Sequence, residues 1–408
     1  MIKNKYISPF KPLNIKDVKF SGFKIYTFKA GYKKNKEDLL VIVFDKPVNF
    51  AAVFTKSSAP SAPVVWDKRL YKKSLCKVLI VNSGNANAYT GIEGIESIKK
   101  YSSFAAKIFN CKIGQVFVSS TGVIGEKLDP DLIISKLKKI KQKKLSTLLN
   151  AAKAIMTTDT YPKIAFEKIK INNNIIKIYG IAKGSGMIAP NMGTMLSYIF
   201  IDALLNKETL KKLLNNNIQN SFNSISVDGD MSTSDTVMIF SNGKKSLKKL
   251  SNNKKIFNLI SSSINKVMIN LAKQIVCDGE GISKLIEVNI FKARNKIQAK
   301  KIAFSIAESL LVKTAVFGED ANWGRIIMAI GKTLEKININ KISLNIGKNN
   351  IINQGIPNKI KSEKNIKKYM KNKIIKINVN LNSGLYNKTV WSSDLTYQYV
   401  KINGDYRT

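Results

Sequence analysis

The chain has 408 residues, with 68 Lys plus Arg against 27 Asp plus Glu, a formal net charge of +41, and no histidine. A Ser-His-Asp or Cys-His nucleophile, an HExxH zinc site and a histidine general base are therefore excluded, and acid–base work near neutral pH falls to a perturbed Lys, Asp, Glu or Cys or to an α-amine. The basic excess does not mark a nucleic-acid partner, because apart from Arg69, Arg294, Arg325 and Arg407 it is lysine scattered among Asn and Ile, without the arginine and aromatic interleaving of nucleic-acid readers.

In chain order, the first stretch, MIKNKYISPFKPLNIKDVKF, lacks the apolar core and cleavage site of a signal peptide. No apolar run approaches the roughly 20 residues of a membrane span. Cys76, Cys111 and Cys277 form no CxxC pair. A cytoplasmic protein with no disulfide, metal site or membrane partner is expected. Runs at 38–46 (DLLVIVFDK), 77–82 (KVLIVN) and 115–119 (QVFVS) predict strands. Helical spacing over 93–110 (Ile95, Ile98, Ala105, Ile108) and 132–155 (Ile133, Leu137, Ile140, Leu148, Ile155) predicts helices. The alternation is an α/β signature, for one large unit or two closely packed lobes, with ligand loops at the strand ends. Those loops are NSGNANA (82–88) and SSTGVIGE (119–126).

The segment KGSGMIAPNMGTMLSYIFIDA (183–203) joins a glycine-rich loop to a predicted buried strand. Gly184-Ser185-Gly186-x-x-Ala189 loosely matches a dinucleotide fingerprint, but Pro190 and the extended run behind it leave no room for the required helix. Thr194 has two readings. It is a strand-favouring residue at a strand start, or its hydroxyl attacks the preceding peptide bond, and hydrolysis after the N-to-O acyl shift releases Thr194 as a new N-terminus. The free α-amine, with a reference pKa of about 7.7–8.0, then serves as base for the adjacent hydroxyl. Downstream, VDGDMSTSDT (227–236) begins like a calcium loop with Asp228, Asp230 and Ser232. Thr233 at the glycine position and Ile239 at the bidentate position exclude an EF-hand, leaving either turns or a place near an active site. DGEG (278–281) presents Glu280 on a turn where a cationic ligand could be met. Lys/Asn-rich stretches at 206–220, 243–256 and 347–375 predict solvated helix faces or surface loops.

The loop KGSGMIAPNMGTML resembles the self-cleaving motif of the ornithine acetyltransferase family, the glutamate N-acetyltransferases of arginine biosynthesis. The likeness continues in order through NSGNANA, STGVIGE, TTDTYPK at 157, FNSISVDGDMSTSDT at 222, DGEG, VKTAVFGEDANWGRI at 312 and DLTYQYVKINGDYRT at the C-terminus. The resemblance implies cleavage between Gly193 and Thr194 into an α chain (1–193) and a β chain (194–408), with Thr194 the nucleophile. It implies Thr121 and Gly122 as the oxyanion hole, and Thr158, Lys183, Thr194, Glu280, Asn403 and Thr408 as substrate contacts. It further implies a layered α/β sandwich resembling N-terminal nucleophile hydrolases, an α2β2 heterotetramer, and ping-pong acetyl transfer from N2-acetylornithine to glutamate. No cofactor is implied, and acetyl-CoA is a possible second donor. The alternatives are a self-processing aminopeptidase of related fold and a basic nucleic-acid-binding protein. The chain departs from the family at Ala189, where His is usual, at Gly193, where Ala is usual, and at Met231 and Ser234.

Overall fold

The computed structural model describes residues 6–72, 74–171, 174–189, 195–243, 253–358 and 363–405. Among them lie three sheets. The first runs in the order Phe23–Phe28, Leu39–Val48, Cys76–Asn85, Val116–Val123, and its last pair is parallel. The second runs Phe50–Phe54, Thr236–Ser241, Leu196–Ile201, Asn174–Lys183, Lys163–Ile171, with its second and third strands parallel.

These two sheets pack face to face. Leu40, Ile42, Leu79 and Phe117 of one share a core with Ile181, Tyr198, Phe200 and Met238 of the other. Phe23 stacks on Phe200 at 4.6 Å and Phe44 meets Phe240 at 5.0 Å, so aromatic rings hold the centre of the interface. Helices cover both outer faces. Trp66 of helix Ala62–Tyr71 and Ile98 and Tyr101 of helix Gly91–Ile108 pack on Val41, Ile80 and Val118. Leu210 and Leu214 of Lys207–Ile218 and Ile264 and Leu271 of Lys254–Val276 pack on Ile178, Ile199 and Val237. With both faces covered, strands such as Leu196–Ile201 are buried at every position, which is why they read as unbroken apolar runs. The result is an α/β sandwich of helix, sheet, sheet and helix layers.

The third sheet has seven strands, mostly from residues 285–393, and carries its own core with helices Lys296–Ala307, Leu310–Phe317 and Trp323–Gly331. Among the described residues no helix is long and apolar enough to cross a membrane. The second sheet takes strands from both sides of position 193: Thr236–Ser241 and Leu196–Ile201 lie side by side between Phe50–Phe54 and Asn174–Lys183, so both implied chains would share one sheet.

Two expectations need correction. The periodic stretch 132–155 is not one helix. It forms Pro130–Lys138, a single 3-10 turn and Leu148–Ala154. Lys138, Lys139, Lys141, Lys143 and Lys144 fall at mutually repulsive helical spacings. Thr147 starts the second helix by accepting from the Asn150 N–H, while the Ser146 N–H donates to Ile25 O at 2.9 Å. The stretch 347–375 is also more than solvated surface. Its strand Asn349–Asn353 buries Ile351 and Ile352, and Ile366 and Met370 point inward from Glu363–Met370.

Candidate active site

The antiparallel pairing of Asn174–Lys183 with Leu196–Ile201 ends at Lys183 opposite Leu196, so the glycine-rich loop begins at the end of an interior strand. Thr121 and Gly122 lie near the C-terminal end of Val116–Val123, facing Ser83 and Gly84 of the neighbouring strand. Gly122 has φ +134°, and a Cβ there would stand 2.3 Å from the Gly84 carbonyl carbon. No other residue fits this approach.

Thr121, Gly122, Thr158, Lys183, Glu280 and Asn403 line one cleft of about 130 Å³. Ser232, Thr233 and Ser234 of the serine-rich loop also line it, which places that loop at the site. The volume is well below the roughly 300–1,000 Å³ of drug-sized sites, so the cleft suits an amino acid. Gly193, Thr194 and Thr408 lie outside the described residues. The chain on either side of the first two is tightly held. Asp228 accepts from the Met187 and Ile188 N–H groups at 2.6 and 2.9 Å, and Asp235 Oδ1 accepts from the Met195 N–H at 2.8 Å.

Lys183 is 3% exposed, and its Nζ donates to Thr121 Oγ1 at 3.2 Å. Burial pushes this ammonium below the ordinary lysine value, and the Asp159 carboxylate opposes that most strongly. Because Thr121 Oγ1 accepts from the lysine, its own proton is free to point at a ligand oxygen. Glu280 is 8% exposed and lies directly against Gly186, where a Cβ would stand 2.3 Å from Oε2. Asn403 Nδ2 donates to Glu280 Oε2 at 2.9 Å. Asn403 comes from helix Tyr397–Gly404, which Thr396 caps while donating its hydroxyl to Gly281 O at 2.6 Å. The C-terminal helix is thus seated on the DGEG turn.

Sequence reasoning assigned no role to Asp159, Lys163, Asp235 or Asp278. Asp235 is fully buried and pushed well above the usual carboxyl range by that burial. The signal for these residues was indirect: each sits inside a motif block whose neighbours line the cleft. Chemically, the cleft offers a hydroxyl donor polarised by an ammonium, a cation for a carboxylate and a carboxylate for an ammonium.

The ArgJ family profile matches residues 24–408. A protein of Bartonella henselae named arginine biosynthesis bifunctional protein ArgJ is 44% identical over 406 residues, 98% of this chain and 99% of its own. Its namesake in Brucella melitensis is 43% identical over 400 residues, 95% of each chain. Among solved structures, the arginine biosynthesis bifunctional protein argJ of Bacillus halodurans is 38% identical with a TM-score of 0.48, covering 52% of this chain and 99% of its own. The ornithine acetyltransferase of Mycobacterium tuberculosis complexed with ornithine is 25% identical with a TM-score of 0.35, covering 43% and 93%.

Proposed function

The chain belongs to the ArgJ family, and from that premise and the make-up of the cleft we propose that it transfers an acetyl group from N2-acetyl-L-ornithine to L-glutamate in arginine biosynthesis. The observation that carries the reading is the convergence of Thr121, Lys183 and Glu280 on one amino-acid-sized cleft, at the end of the interior strand Asn174–Lys183.

In the proposed reaction, cleavage after Gly193 releases Thr194 with a free α-amine. The Thr194 hydroxyl attacks the acetyl carbonyl carbon of acetylornithine, and its proton passes to the α-amine. The tetrahedral oxyanion is met by the Thr121 hydroxyl and the Gly122 N–H. The C–N bond then breaks, the α-amine returns the proton to the leaving ornithine nitrogen, and an acetyl ester remains on Thr194. Glutamate's amine attacks that ester, its proton leaves through the same α-amine, and Thr194 is regenerated. Lys183 holds the α-carboxylate common to both substrates, and Glu280 meets the side-chain ammonium of ornithine.

Purified protein given acetylornithine and glutamate should produce acetylglutamate and ornithine in equal amounts; production of acetate without acetylglutamate would overturn the reading in favour of a hydrolase. Glu280→Gln should raise KM for acetylornithine by about 10- to 100-fold, the cost of one charged hydrogen bond, and change the glutamate KM far less. Equal changes in both constants would remove Glu280 from ornithine recognition.

The relatives are named bifunctional, which supports a second activity, for which the proposed donor is acetyl-CoA with glutamate as acceptor. Acetylglutamate formation from acetyl-CoA in the absence of acetylornithine tests it. The remaining parts of the reading are an α chain 1–193 and a β chain 194–408, an α2β2 assembly, no cofactor, and a cytoplasmic location.

A further inference from the structure

Beneath the cleft lies an ionic cluster that no step above uses. Lys163 Nζ donates to Asp159 Oδ1 and to Asp278 Oδ2, both at 2.6 Å, and all three side chains are fully buried. Nζ also lies 4.9 Å from the Tyr161 ring centroid. Each carboxylate ties down a different segment. Asp159 accepts from the Thr157 N–H at 2.9 Å and, through Oδ1, from the Gly184 N–H at 2.8 Å, joining the turn that carries Thr158 to the residue after Lys183. Asp278 accepts from the Thr160 N–H at 2.9 Å and from the Thr160 hydroxyl. Its backbone carbonyl accepts from the Ser185 hydroxyl at 2.5 Å, and the Glu280 N–H donates to Ser185 O at 3.2 Å. The segments bearing Thr158, Lys183 and Glu280 therefore meet at one buried ammonium.

Two carboxylates share that ammonium, and their surroundings shift them in opposite directions. Burial raises the Asp159 carboxyl, but Lys163 and Lys183 outweigh burial and hold it well below the usual carboxylate range. Burial raises Asp278, and Lys163 does not fully offset it. The charged and titratable groups facing Lys183 are Asp159, Lys163, Glu280 and Asp235, with Lys33 also within range and pushed down to about 8 by its own burial. Tyr6, Tyr161 and Cys277 beside Asp278 are pushed up by burial and stay neutral.

We propose that Asp159, Lys163 and Asp278 are the positioning residues of the site: the cluster sets Thr158, Lys183 and Glu280 at one spacing, and Asp159 is the counter-ion that keeps the Lys183 ammonium available for a substrate carboxylate. The inference rests on the acetyl-transfer reading and adds to it a pH limit. Without the Asp159 charge, Lys183 loses its proton at lower pH, and carboxylate recognition is lost with that proton.

The test is steady-state acetyl transfer over a range of pH by the parent protein and by Asp159→Asn, with folding checked by thermal unfolding and processing by intact mass. Asp159→Asn is expected to raise KM for acetylornithine and for glutamate together by about tenfold, with kcat changed far less, and to move the alkaline limb of kcat/KM to lower pH by about one unit. A folded, processed variant with unchanged KM values and an unmoved alkaline limb would overturn the inference while leaving the parent's activity intact. A parent that transfers no acetyl group overturns the functional reading and this inference with it. Should Asp159→Asn not fold, Lys163→Arg carries the same test, because its larger fork displaces both carboxylates. Both KM values should then rise several-fold, roughly in parallel, and unchanged values would overturn the inference.

Discussion

Thr194→Ala is expected to leave one full-length chain in intact-mass analysis and to lower acetyl transfer by about 10⁴- to 10⁶-fold, the usual scale for removing a nucleophile. Both losses have one cause. The hydroxyl that would attack the Gly193 carbonyl during processing is the hydroxyl that would later carry the acetyl group, and no histidine exists to activate a substitute. The flanking backbone is held independently of this side chain, by Asp228 on Met187 and Ile188 and by Asp235 on Met195. The variant should therefore fold with thermal stability close to that of the parent. Thr194→Ser, which keeps the hydroxyl, should still be cleaved and should retain measurable transfer. An uncleaved parent with full activity, or an active Thr194→Ala, would remove Thr194 from the chemistry.

The second large effect is expected at the oxyanion hole. Thr121→Val preserves shape and strand preference but removes a donor, and should lower kcat by about 10²- to 10³-fold with little change in KM. The Lys183 ammonium donates to Thr121 Oγ1, so it both orients the hydroxyl proton away from itself and makes the group a stronger donor. Thr121→Ser restores the hydroxyl and should recover most of the rate. A fall in kcat/KM arising from KM alone would instead assign Thr121 to ground-state binding. Gly122 cannot be tested as cleanly, because its φ of +134° and its contact with the Gly84 backbone make any side chain a folding defect.

Much of the site could be read in order along the chain, because glycine-rich loops at strand ends are where α/β sheets bind ligands. The blocks around 82, 119, 183 and 278 do cluster at one end of the sandwich. The helix boundary inside 132–155 was not legible from periodicity, since repulsion along the lysine run and the Thr147 cap override the apolar spacing. The strand Asn349–Asn353 within 347–375 was hidden because it buries two adjacent residues, Ile351 and Ile352, in a short run that shows no alternation.

Residue types alone narrowed the chemistry open to this protein: without histidine, the base for any nucleophile falls to a perturbed Lys, Asp, Glu or Cys or to an α-amine. Which charges surround that chemistry was decided only in three dimensions. Asp159 and Asp278 stand more than a hundred positions apart, yet both bind Lys163, and this contact brings Lys183 and Glu280 to the same cleft. A lysine among so many reads as surface charge until folding removes it from water, and burial beside a carboxylate is what turns it into part of a site.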